Sequence, residues 1–450
     1  MSSPDQYDYD VIVIGGGSPG EHFAAAVAGG GLRVAIVERE LLGGECTFWA
    51  CIPSKTLLRP GEALAAARDV PGASAAVTGQ VDAAAALAWR DFMVSSYDDA
   101  GAEKWARDTG IEVLRGDGKL AGPHTVAVGA TTCTAEHVVL ATGSEAFIPP
   151  IPGLRDLPGV WTNREATAVK EIPKRLLVLG AGPTGVEMAQ AFTGLGASVA
   201  LVDGADHVLP REPEALGRAL GEALGVELHL GQHATNASFA DGEYVLDFPD
   251  GKQLRGDKLL VATGRTPRVH GIGLETAGIE PNPRGIETDE RMNVADGLWA
   301  VGDVTGQWNL THVGKYQGRV AAANILGTPT KVDYTAIPRV VFTDPQVAAV
   351  GAAEGDHTVT VHLSGVARTA TYTREYDSRP GFLTLVSDGN VLTGAHAIGP
   401  EAGEWLQQAT VAIRARIPLD VLLDVVQPFP TFSEAFLNGL RELDSKRKQK

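Results

Sequence analysis

Cysteine is scarce in this chain: Cys46, Cys51 and Cys133 are the only three in 450 residues. That count excludes the disulfide framework of a small secreted protein. Long apolar runs are missing too. None approaches the roughly 18–20 residues that a membrane-spanning helix needs. Met1 to Asp10 is short and acidic, unlike the basic and then apolar start of an export signal. Positive charge is in the minority, 38 Lys and Arg against 55 Asp and Glu, for a net charge of −17. Nucleic acid and membrane surfaces are therefore not expected partners. The short basic end from Lys446 to Lys450 reads as a solvated tail. These absences point to the cytoplasm.

What the chain does hold is glycine, 54 residues, and much of it is patterned. An apolar strand, Val11 to Ile14, runs into a glycine-rich turn with Gly15, Gly17 and Gly20. An Ala-rich helical stretch follows, then a second strand, Val34 to Val37, ending at Glu38. The same arrangement returns later. Leu176 to Leu179 runs into Gly180, Gly182 and Gly185, then a helix, then Val199 to Val202 ending at Asp203. In both copies the acid stands at the same offset from the first glycine.

One such fingerprint is weak evidence, but two with matching strand, helix and terminal acid are strong evidence for dinucleotide binding. The first glycine permits a tight turn, the second lets backbone approach a pyrophosphate, and the third lets helix and strand pack closely. The pyrophosphate rests on unpaired N–H groups at the helix start, and the acid accepts hydrogen bonds from ribose hydroxyls. Each copy closes with a similar strand and turn, Val138 to Ser144 with Thr142 and Gly143, and Leu259 to Arg265 with Gly264.

Length suggests about three domains, and proline-rich exits mark the boundaries. Residues 1–153 form the first part of one nucleotide-binding domain and 154–268 a second. Residues 336–450 make a separate α+β unit. The expected fold is α/β: two Rossmann-like dinucleotide-binding domains plus a C-terminal α+β domain.

The most specific segment runs from Gly43 to Lys55, with Cys46 and Cys51 separated by four residues and followed by Ile-Pro-Ser-Lys. Together with Gly302-Asp303, Leu310-Thr311-His312, the 336–345 segment and Pro430-Thr431-Phe432-Ser433-Glu434, it resembles the pyridine nucleotide-disulfide oxidoreductases. That is the family of glutathione reductase, dihydrolipoamide dehydrogenase and mercuric reductase, and the resemblance covers nearly the whole chain. It implies FAD on Gly15, Gly17, Gly20 and Glu38, with Asp303 meeting the FAD chain between pyrophosphate and flavin. It also implies a redox disulfide between Cys46 and Cys51, Cys51 being nearer the ring, and a Lys55–Glu187 pair near the flavin. By the same resemblance residues 269–335 return to the first nucleotide-binding domain, the C-terminal domain is a dimerisation domain and the protein a homodimer. Cys133 has no such context and reads as a small core residue.

Asp203 favours NAD(H) over NADP(H), because a carboxylate accepts from ribose hydroxyls and repels a 2′-phosphate. Gly204 to Val208 supply no Arg or Lys to neutralise one. Arg211 belongs to the next helix start.

Relatives that act on thiols carry a His before the Pro-Thr of the terminal motif, paired with the following Glu. Here that position is Phe429, Glu434 remains, and no histidine follows His396. Positioned acid–base catalysis contributes about 10²–10⁴ in rate, so dihydrolipoamide and glutathione disulfide are disfavoured as substrates. Mercuric reductases also lack this His, but they deliver metal through C-terminal cysteines, which this chain lacks, and a carrier domain not expected here. Phe48 and Trp49, between the cysteines, are expected to pack under the loop or, with Phe429, to present an apolar platform to a flat acceptor.

The expected function is transfer of hydride from nicotinamide to flavin, then to Cys46–Cys51, then to a small-molecule acceptor: a quinone, an oxidised small molecule or a metal ion. One alternative is a dihydrolipoamide dehydrogenase-like reductase with Glu434 or water as substitute base. Another is a redox-sensing FAD- and NAD-binding subunit without turnover.

Overall fold

The computed structural model describes residues 6–366 and 381–448. Two compact units divide the chain. The first comprises Met1–Pro53, Trp89–Phe147 and Gly264–Val332; the second comprises Ser54–Ala88, Ile148–Thr263 and Asp333–Lys450.

The central sheet of the first unit orders its strands Asn293–Ala295, Leu298–Ala300, Thr131–Leu140, Tyr9–Ile14, Val34–Glu38 and Ile111–Arg115. All neighbours run parallel except the antiparallel pair at the Asn293 edge. Parallel strands are covered on both faces and so become continuously apolar. Val11, Ile12 and Val13 are accordingly 0% exposed on successive, opposite-facing positions. A hairpin of Gly118–Gly122 and Thr125–Val128 extends from the Thr131–Leu140 strand. Helices Ser18–Gly29 and Thr311–Ile325 lie together on this sheet.

In the second unit, four parallel strands follow the order Glu227–Leu230, Ser198–Asp203, Arg175–Leu179, Lys258–Val261. A three-stranded antiparallel sheet, residues 236–256, sits beside them. The C-terminal segment makes a five-stranded antiparallel sheet, packed under the Ser433–Lys448 helix. The fold is thus α/β, with two Rossmann-like nucleotide-binding folds and an α+β C-terminal part.

One core runs across residue 336. Val341, Val347, Phe382 and Ile398 join the same apolar cluster as Leu176, Val186 and Phe192. Polar ties reinforce it: Arg339 grips both oxygens of Glu212 at 2.7 and 2.9 Å, and Gln190 exchanges two hydrogen bonds with the backbone of Asp344. The basic end is solvated as expected, with Lys446 and Lys448 exposed, but it is helical through Lys448. Lys446, Arg447 and Lys448 complete the last helix, where they pair with Glu442, Asp420 and Asp444 and offset the negative helix C-terminus. Gln449 and Lys450 lie outside the described residues.

Candidate active site

The two glycine turns are built alike. Gly15 has φ +110 and Gly180 φ +111, and a Cβ at either would strike the carbonyl of Ala141 (2.3 Å) or Ala262 (2.5 Å). A Cβ at Gly20 or Gly185 would collide with the Gly15 or Gly180 carbonyl, at 2.2 and 1.8 Å. The middle glycines differ: Gly17 and Gly182 cap their helices without a side-chain hydrogen bond, and a Cβ on either meets no protein atom within 4 Å. An uncapped helix N-terminus behind open space suits a pyrophosphate.

Each terminal acid also holds its turn. Glu38 accepts the Gly16 N–H at 2.8 Å and the Glu40 N–H at 2.7 Å; Asp203 accepts the Ala181 N–H at 2.6 Å and the Ala205 N–H at 2.8 Å. An ionised carboxylate has about four acceptor sites, so capacity remains for ribose hydroxyls. The residues present therefore fit a dinucleotide at both turns.

Asp303 accepts the Ser144 hydroxyl at 2.6 Å, and Arg265 donates to that same hydroxyl oxygen at 2.6 Å. Behind it, Gln317, 0% exposed, accepts the Gly302 N–H at 2.7 Å. Thr142 donates to the Arg268 carbonyl, and Gly143 accepts the Arg268 N–H, both at 3.0 Å. Gly264 has φ +132 and accepts the Phe147 N–H.

Cys46 sits in the short helix Gly44–Phe48, and Cys51 opens the helix Cys51–Asp69. The Cys46 thiol donates to the Cys51 sulfur at 2.7 Å, and Thr311 places its hydroxyl 3.5 Å from the Cys51 sulfur. The Cys46 thiol is pushed well above the usual thiol range. Its hydrogen bond to the Cys51 sulfur is the main cause, then burial, then the charge of Cys51; Thr311 and Lys315 pull the other way. Rings of Phe48, Trp49 and Tyr97 cluster at 5.7–6.4 Å beside this pair.

One turn beyond Cys51 on the same helix, Lys55 meets Glu187 at 2.6 Å and lies 4.6 Å from the centre of the Phe342 ring. Glu434 lies in the first turn of the last helix, and its Oε2 is buried without a hydrogen-bond partner among the described residues. Phe429 is 73% exposed.

Residues 9–318 match the model of the family described as pyridine nucleotide-disulphide oxidoreductase, and 337–439 match that family's dimerisation domain. The chain belongs to the pyridine nucleotide-disulphide oxidoreductases. It is 35% identical to the mercuric reductase of Acidithiobacillus ferrooxidans, over 96% of this chain and 82% of that protein. It is 34% identical to the dihydrolipoyl dehydrogenase of Thermus scotoductus, over 97% of both. Among solved structures, the HOCl-induced flavoprotein disulfide reductase RclA of Escherichia coli, in its Cu(II) complex, superposes with a TM-score of 0.84. That match has 27% identity and covers 97% of this chain and 99% of RclA. LpdA of Mycobacterium tuberculosis gives 0.85 at 26% identity, covering 96% and 99%.

Members of this disulphide oxidoreductase family bind FAD and a nicotinamide nucleotide, and this chain is a flavin-dependent oxidoreductase with a dimerisation domain. No described helix is long and apolar enough to cross a membrane. No cluster of His, Cys, Asp and Glu among the described residues could hold a metal ion.

Sequence reasoning missed several neighbours of this site. Ser144, Arg265 and Gln317 hold Asp303 and its turn; Ser144 and Arg265 stand at the ends of the two matching closing turns, but their bracing role, like that of Gln317, comes from distant segments and carries no local signal. Arg265 and Arg268 also flank Glu45, the residue before Cys46, each at 3.7 Å. His312 is exposed, and Cys133 is half-buried against the first unit's core.

Proposed function

We propose that this protein is a homodimeric, NADH-dependent flavoenzyme that passes electrons through Cys46 and Cys51 to an acceptor needing no imidazole-assisted thiol chemistry. A quinone, an oxidised small molecule or a metal ion meets that requirement. The carrying observation is a sulfur pair at 2.7 Å beside an aromatic cluster, in a chain whose C-terminal motif offers Phe429 instead of an imidazole.

FAD, when bound, supplies two-electron chemistry between nicotinamide and the cysteine pair. The chain's own groups do the rest. Gly17 and the helix N-terminus behind it receive the FAD pyrophosphate, Glu38 takes the adenosine ribose, and Asp303, braced by Ser144 and Arg265, holds the linking chain. Gly182 and Asp203 bind the nicotinamide dinucleotide in the same manner. NADH is preferred because Asp203 repels a 2′-phosphate and Arg218, near this loop, is spent on Asp206 and Glu214. Lys55, fixed by Glu187, stands one helical turn from Cys51. Cys51 would face the flavin and Cys46 the acceptor, with Trp49, packed on the Phe48 and Tyr97 rings, as the flat apolar contact.

Exposed Val421, Val425, Val426 and Phe429 give the dimerisation domain an apolar face suited to a second copy. The acidic, cysteine-poor composition supports a cytoplasmic location.

Anaerobic titration with NADH, followed by a panel of quinones, disulfides and metal ions, tests the reading. The expected record is flavin bleaching, a long-wavelength band at two-electron reduction, and turnover with a non-disulfide acceptor. Efficient dihydrolipoamide turnover sinks the choice of acceptor. Unchanged acceptor turnover in Cys51→Ser sinks the relay.

A further inference from the structure

Helices Ser18–Gly29 and Thr311–Ile325 run side by side in the same direction. Gly314 and Gly318, one turn apart, face Pro19 and Phe23, also one turn apart. A Cβ at Gly314 would lie 2.6 Å from Pro19 Cγ, and one at Gly318 would lie 3.3 Å from Phe23 Cβ. Both helix N-termini therefore point to one end. At that end Thr311 touches the Cys51 sulfur, Lys315 stands one turn further along the same face, and Glu21 occupies the first turn of the neighbouring helix.

The charge of Lys315 is felt by both partners, favouring the ionised forms of the Cys46 thiol and of Glu21. Lys315 is half-buried and forms no salt bridge among the described residues. Burial pushes the Glu21 carboxyl up to about 7, so it changes charge near neutrality.

We propose that Lys315 is the positioning cation for the Cys46 thiolate, with Glu21 as its titrating counter-charge, supplying within one chain the positive charge that Phe429 does not. The inference rests on the Cys46–Cys51 relay proposed above. A thiolate beside an ammonium forms at lower pH and needs no imidazole to persist. When Glu21 is neutral, the whole field of Lys315 acts on Cys46; when Glu21 ionises, part of that field is cancelled. Other charged groups at this end are Glu38, which raises Glu21 further, and Glu45 beside Cys46, held by Arg265 and Arg268. Cys51 and His312, in the first turn of the Thr311–Ile325 helix, are further titratable groups here, and bound FAD would add its pyrophosphate at the start of the Ser18–Gly29 helix.

Alkylation of Cys46 by iodoacetamide in the NADH-reduced holoenzyme, followed from pH 5.5 to 9 by peptide mass spectrometry, reads the thiolate directly. Lys315→Met should slow alkylation at pH 7 about tenfold and move the profile up by about one pH unit. Lys315→Arg should recover the rate to within about threefold. Glu21→Gln should raise the rate above pH 7 and leave it unchanged below pH 6. If Lys315→Met does not fold, Lys315→Gln is judged by the same criteria. A wild-type profile in a Lys315→Met or Lys315→Gln enzyme that retains FAD overturns the proposal. Failure of the relay is seen separately, as full acceptor turnover in Cys46→Ser.

Discussion

Lys55 and Glu187 are joined at 2.6 Å through a carboxylate whose side chain is only 7% exposed. The second oxygen of Glu187 accepts the Phe342 N–H at 3.0 Å, so both oxygens are engaged. Removing the lysine strands a buried negative charge, which is costlier than losing an exposed pair. Lys55→Met should destabilise the protein by about 1–3 kcal/mol. Glu187→Gln in the same background should return part of that loss, as measured by urea denaturation.

Gly182 and Gly185 should separate binding from folding. A methyl at Gly182 meets open space at an ordinary φ of −72, whereas one at Gly185 runs into the Gly180 carbonyl. Gly182→Ala should keep its thermal midpoint and lose NADH affinity by about tenfold or more, on the order of 1.4 kcal/mol. Gly185→Ala should lower the midpoint itself. Calorimetry and fluorescence titration check the pair.

Asp203 should set nucleotide preference and also brace its loop. Asp203→Asn keeps an oxygen for one backbone N–H but removes the charge that repels a 2′-phosphate. The ratio of kcat/KM for NADH over NADPH should fall about tenfold or more, mainly through a loss with NADH. An unchanged ratio would show that some other group discriminates.

Phe429→His should open disulfide chemistry. Glu434 already carries a buried oxygen without a partner among the described residues, and an imidazole five residues earlier would give it one. Dihydrolipoamide turnover should rise by about 10–10², and the gain should vanish in Phe429→His/Glu434→Gln.

Glu21 should make the cofactor-free protein less stable as pH rises. Its folded pKa of about 7 lies above the ordinary carboxylate value, so folding opposes ionisation. Below the ordinary value both states are protonated and no penalty exists. Between there and about pH 7 the penalty grows, and above it is complete. Glu21→Gln should match wild type near pH 4 and exceed it by on the order of 1–3 kcal/mol at pH 8. Urea midpoints at the two values test the sign.

Both nucleotide folds were legible because their chemistry is local. Gly15 to Glu38 and Gly180 to Asp203 each fall within one strand–helix–strand unit, where spacing along the chain dictates geometry. Cys46 and Cys51 were legible for the same reason. The bracing of Asp303 was not, since Ser144 donates to it, Arg265 holds that hydroxyl and Gln317 holds the adjoining Gly302 N–H, each from a separate segment. The end of the chain was read correctly as solvated, but its helical pairing was not legible from charge alone. Asp420, Glu442 and Asp444 turn that run into a paired helix end.

The amino-acid order alone determined the glycine turns, their acids, the close cysteines and the missing imidazole, because each depends on residues a few positions apart or on one residue's identity. Tertiary structure alone decided that Lys315 and Glu21 share the cysteine end of two parallel helices, and that one core runs through residue 336. Those facts depend on which distant faces are small enough to approach: Gly314 and Gly318 against Pro19 and Phe23, and Val341 and Ile398 with Phe192. Close packing selects such contacts from many that the sequence permits.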